Sequence, residues 1–165
     1  MARAPLSLKA RALRYLAARE HSRAELATKL ARHATEHESP AAIERVLDEL
    51  AAKGFIDEAR VAESVLHRRA PRLGSARVLH ELRTKGLPEA VVADAARQLQ
   101  GSEFDRALAV WRRRFAAPPG EAGERARQLR FLAGRGFSAE VAWSVLSAAA
   151  PDRQRTVELA ALQLA

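Results

Sequence analysis

The sequence has 165 residues, 48% of them hydrophobic and 5% aromatic, and no cysteine. A chain of this length buries about two thirds of its unfolded surface, and the lack of Cys excludes disulfides, thiol nucleophiles and thiolate metal sites. The 28 Lys and Arg exceed the 20 Asp and Glu to give a formal charge of +8, which suits a polyanionic partner, although a solvated basic surface gives the same count.

The apolar residues are mostly Ala and Leu, which favours helices over sheets. From Met1 to Arg19 the chain is interrupted by Arg3, Lys9, Arg11 and Arg14, so it lacks the apolar core of a secretion signal. No segment reaches the roughly 20 apolar residues of a membrane span, and a cytoplasmic location without membrane contact is expected. A first helix is predicted from about Leu8. Ser22 and Glu25 form an S-x-x-E capping box that opens a second.

The string His33-Ala34-Thr35-Glu36-His37 matches the H-x-x-E-H pattern of one class of zinc peptidase, in which two His one helical turn apart hold the metal and the Glu acts as base. Ser39-Pro40 opens a new helix directly afterwards, which places the string at a helix end or in a loop. Glu38 is a neighbouring donor, but no third ligand is identified, so no metal site is expected. In the third helix, Ile43, Val46, Leu47 and Leu50 share one face, and Gly54 after Lys53 marks a left-handed cap.

A fourth helix begins near Asp57 and runs into a basic stretch of Arg68, Arg69 and Arg72, followed by Arg77, Arg83 and Lys85, with only Glu81 opposing them between residues 68 and 85. Val78, Leu79 and Leu82 form the next apolar face. Gly86 ends that helix, and Pro88 opens another in the manner of Pro40. Ser102 and Asp105 form an acidic relative of the capping box. A second basic cluster, Arg112, Arg113 and Arg114, is followed by the clearest loop, residues 116–123, and then by Arg125, Arg127 and Arg130. Gly136 after Arg135 caps another helix, Val141, Ala142, Val145 and Leu146 give the last apolar stripe, and residues 151–165 form a C-terminal helix or tail.

Tyr15, Trp111, Phe115 and Trp143 lie on apolar stripes and are assigned to the core instead of to base stacking. His21, His67 and His80 are scattered, and neither a G-x-S-x-G elbow nor a phosphate loop is present. No catalytic residue and no cofactor are expected.

About nine helices in three sets of three are predicted. First helices start near Leu8, Asp57 and Glu103 and third helices near Ser39, Pro88 and Ser138, with Arg11, Arg60 and Arg106 at matching places. The expected fold is all-α, three tandem three-helix repeats in an elongated, curved, right-handed or solenoid-like array. The modules are placed at residues 1–55, 56–100 and 101–150.

The segment Lys53-Gly54-Phe55-Ile56-Asp57-Glu58-Ala59-Arg60 resembles the Gly-aromatic-aliphatic-Asp-acidic-x-Arg motif of the RecX family. Arg69, Gly74, Arg77, Glu81, Leu82, Lys85, Gly86 and Leu87 are similar to a second motif of that family. Ala12, Leu13, Leu16, His21, Ser22, Glu25, Leu26, Lys29 and Leu30 resemble its opening segment, whereas Val61 stands where the family usually has an aromatic residue. The resemblance implies a non-enzymatic, monomeric regulator that binds the RecA filament on single-stranded DNA and inhibits RecA. The binding residues assigned are Arg68, Arg69, Arg72, Arg77, Lys85, Arg112, Arg113 and Arg114. The competing expectation is a direct DNA-binding protein of helix-turn-helix type.

Overall fold

A computed structural model describes residues 6–149, so the C-terminal helix or tail expected over 151–165 lies outside the described residues. Among the described residues the regular structure is nine α-helices: α1 (Leu8–Ala18), α2 (Arg23–Arg32), α3 (Pro40–Ala52), α4 (Glu58–Arg69), α5 (Ser75–Thr84), α6 (Glu89–Gln100), α7 (Glu103–Arg114), α8 (Ala122–Ala133) and α9 (Ala139–Ala149). None of them is long and apolar enough to cross a membrane. The chain divides into two compact units, residues 6–68 with 79–97 and residues 69–78 with 98–149.

In the first unit, Leu8 and Ala12 of α1, Leu26 and Leu30 of α2, and Ile43, Leu47 and Leu50 of α3 close on Ile56 to form one core, against which Val46 packs from its edge. These are i, i+4 and i, i+3 pairs, and each fully buried Leu contributes about 1.5–3 kcal/mol. The capping box forms as expected: the Ser22 hydroxyl accepts from the Glu25 N–H and the Glu25 carboxylate accepts from the Ser22 N–H. Ser39 caps α3 with Pro40 in its first turn. Pro88 instead lies just before α6, where its carbonyl accepts from the N–H groups of Val91 and Val92.

In the second unit, Ala107, Val110 and Trp111 of α7 pack with Leu132 of α8, Phe137, and Ala142, Val145 and Leu146 of α9. The Trp111 indole N–H donates to the buried Gln128 side chain at 2.8 Å, and Gln128 in turn donates to the Ala117 carbonyl at 3.3 Å, so the polar atoms taken into this core are paired. Two expectations fail here. Trp143 is 49% exposed, because the inward stripe Ala142, Val145, Leu146 leaves the next position turned about 100° away. Ser102 makes no cap to α7; its hydroxyl donates to the Leu99 carbonyl and accepts from Arg106 Nε.

One device recurs. Within the first unit, the Ser22 hydroxyl at the start of α2 donates to the Lys85 carbonyl, and Glu58 accepts from the Arg23 N–H at 3.0 Å. Within the second, the Gly74 N–H at the start of α5 donates to the Arg135 carbonyl at 2.9 Å, and Glu103 accepts from the Ser75 N–H at 3.0 Å. Each time the start of one repeat's second helix is closed by the glycine turn of the next repeat and by the first Glu of that repeat's first helix. That Glu satisfies a helix-start donor and meets the positive end of the dipole. The turns use Gly86 and Gly136, at φ of 72° and 87°.

Candidate anion-binding groove

The arginines at matching repeat positions serve structure. Arg60 donates to the carbonyls of Gly54 and Phe55 and pairs with Glu20 and Asp57. Arg106 is half-buried and donates to the carbonyls of Ala70, Leu73 and Leu99 and the hydroxyls of Ser75 and Ser102. Burial lowers its pKa from the ordinary arginine value. Arg11 reaches the His33 carbonyl and the Glu38 carboxylate. The H-x-x-E-H string therefore lies in the loop between α2 and α3, and Glu38 closes that loop by accepting from the Thr35 N–H at 2.9 Å. Among the described residues no group of His, Asp and Glu could hold a metal ion.

Lys85 is half-buried in the first unit and paired with Glu25 at 2.8 Å, on the helix-start device described above. Burial pushes the Glu25 carboxyl up, but hydrogen bonds from Arg19, Lys85 and the Ser22 N–H outweigh it and hold the group at about 2. Arg68 is exposed, its Nε donating to the Ser64 carbonyl at 3.1 Å. Arg69 is exposed at the end of α4, Arg77 is exposed on α5, and Arg112 is exposed in the last turn of α7.

Arg72, Arg113 and Arg114 come together in the second unit. With Arg135, Val110 and Phe131 they line a groove of about 280 Å3. Arg113 and Arg114, one helical turn beyond the buried Val110, are exposed at the C-terminus of α7, where the helix dipole favours cations. The Arg135 guanidinium lies 3.7 Å from the centre of the Phe131 ring, and Phe115 meets the same ring edge-to-face at 5.0 Å. Among the described residues none of the groove's arginines is paired with a carboxylate. Sequence reasoning reads Arg135 only as a helix-end cation and passes over Phe131, although their spacing of four is a legible signal.

The described residues form an all-helical fold of three-helix repeats, and comparison with known proteins agrees on that architecture. Models of the first, second and third three-helix domains of RecX match residues 9–50, 57–95 and 102–146. The chain belongs to the RecX family of regulatory proteins. It is 58% identical over 144 residues to Regulatory protein RecX of Leptothrix cholodnii, covering 87% of this chain and 90% of that one. It is 51% identical over 147 residues to Regulatory protein RecX of Ralstonia nicotianae, covering 89% and 91%. The crystal structure of RecX from Lactobacillus salivarius shares the fold, with a TM-score of 0.70 at 18% identity over 85% of this chain and 92% of that one.

Proposed function

We propose that this chain regulates the RecA recombinase by binding its filament on single-stranded DNA, limiting filament growth, ATP hydrolysis, strand exchange and coprotease activity without chemistry of its own. Membership of the RecX family carries the reading, and the exposed arginines supply the physical means. Guanidinium forks match the phosphates and carboxylates of a nucleoprotein groove. Binding that favours one filament state over another shifts the filament toward a state poor in hydrolysis or extension. The modules, taken as residues 1–55, 56–100 and 101–150, are the units of engagement. Arg68, Arg69, Arg72, Arg77, Arg112, Arg113 and Arg114 are the proposed contacts; the Lys85 ammonium, tied to Glu25, contributes through the structure that it holds.

The test is RecA ATPase on single-stranded DNA with substoichiometric amounts of this protein. Inhibition that fades when Arg68, Arg69 and Arg72 are changed to Glu, with helicity unchanged, is expected; the absence of both inhibition and filament binding would overturn the reading. The arginine groove also favours a second reading, direct DNA binding. That reading demands tight binding to bare DNA with a steep salt slope and no added effect of RecA.

A further inference from the structure

We propose that the groove of the second unit is a docking site for an acidic peptide segment carrying one apolar anchor side chain. The inference deepens the regulatory reading by naming the partner chemistry at the groove. Arg72, Arg113, Arg114 and Arg135 line the groove. Four arginines on one groove favour an anionic occupant, which can accept hydrogen bonds from several guanidinium forks at once.

The floor decides which anion fits. Val110 is 7% exposed and forms apolar wall together with Phe131. A phosphodiester backbone gains nothing from an apolar wall. A nucleobase stacks on an open aromatic face, and Phe131 offers at most one, since Arg135 lies over the other at 3.7 Å. The volume of about 280 Å3 lies at the lower limit of small-molecule pockets and gives room for a single apolar side chain. Carboxylates on either side of that anchor can each take a guanidinium fork from α7, from the loop before α5 or from the turn after α8. Charge complementarity and the apolar floor together point to a segment of Asp and Glu around one Phe or Leu.

The experiment uses the full-length protein and a fluorescein-labelled peptide of aspartates flanking one phenylalanine, followed by fluorescence anisotropy at physiological salt. Saturable binding is expected. It should weaken about tenfold when the phenylalanine is replaced by serine, and about tenfold or more in Arg113→Glu and, independently, in Arg72→Glu. Arg113→Lys, which keeps the charge but loses the fork, should fall between wild type and Arg113→Glu. Equal binding of the phenylalanine and serine peptides would overturn the proposal, since charge alone would then explain it. Displacement by an oligothymidylate of equal charge as readily as by unlabelled peptide would assign the groove to nucleic acid and overturn it too. The assay contains neither RecA nor DNA filament, so its failure leaves the ATPase test of the regulatory reading intact, and the reverse also holds.

Discussion

Gly74→Ala should destabilise the second unit by about 2–4 kcal/mol. A Cβ at this position would sit 2.1 Å from the Gly136 carbonyl carbon, 2.2 Å from its oxygen and 2.2 Å from the Phe137 nitrogen. Those are backbone atoms with no rotamer to yield, so the start of α5 and the glycine turn must separate by roughly 1.5 Å to reach ordinary contact. That movement breaks the hydrogen bonds from the Gly74 N–H to the Arg135 carbonyl at 2.9 Å and from the Ala76 N–H to the Gly136 carbonyl at 3.3 Å. Each is worth about 1 kcal/mol, more where the donor is left without water, and the lower entropy of the unfolded Ala chain returns about 0.4–1 kcal/mol. Urea unfolding followed by the fluorescence of the buried Trp111 reports this unit. Gly123→Ala is the control: it lies in the first turn of α8 with nothing within 4 Å, and Ala should stabilise that turn by about 0.5 kcal/mol. If Gly74→Ala unfolded within about 0.5 kcal/mol of wild type, the close approach would not be a constraint and the reasoning would fail.

Glu25, at about 2 against an ordinary 4.5, contributes stability that is present above pH 4.5 and lost as pH falls toward 2. After allowance for solvent screening this amounts to about 1–2 kcal/mol, and Glu25→Gln should flatten that part of a thermal-melt pH profile. His21, lowered below 6.5 first of all by burial, is kept neutral by folding, so its share of stability is full above pH 6.5 and declines as pH drops through that value; an NMR titration placing its ring above 6.5 would contradict this. Arg106→Lys should cost about 2–3 kcal/mol, because one ammonium cannot serve the Ala70, Leu73 and Leu99 carbonyls and both hydroxyls; denaturant midpoints measure it. Trp111→Phe, which leaves Gln128 Oε1 without its donor, should cost about 1–3 kcal/mol by the same measurement.

Local rules made much of this architecture legible before any coordinates. Ser22 with Glu25, Ser39 with Pro40, and the glycines at 54, 86 and 136 mark helix ends through chemistry that acts within a few residues. The contacts that sequence reading misses are those made across the fold. Ser102 matches the capping pattern, but its hydroxyl is taken by Leu99 and Arg106, and no local rule announces a guanidinium arriving at that atom. Trp143 sits among apolar neighbours yet faces outward, because a helix rich in Ala and Val has more apolar positions than its buried stripe can use. Arg72 is more than 40 residues from Arg113 in the chain, and only the folding of the second unit brings the two to one groove.

The same distinction changes what the positive charge means. A count of +8 treats every arginine alike, but the fold has already assigned many of them. Arg11, Arg60 and Arg106 hold backbone carbonyls at matching repeat positions, and Arg23 is fixed between Glu44 and Asp48. Such groups are poor candidates for a partner, because binding would first have to break contacts that hold the repeats. Among the described residues the arginines of the groove have no carboxylate to give up, so an anionic partner there gains its interaction without that cost. The available charge is therefore a matter of which guanidinium groups the repeat device leaves over. It leaves them where the C-terminus of α7, the loop before α5 and the turn after α8 converge within one unit, so that Arg113 and Arg114 of the densest arginine run are joined by Arg72 and Arg135, which no run in the sequence connects to them.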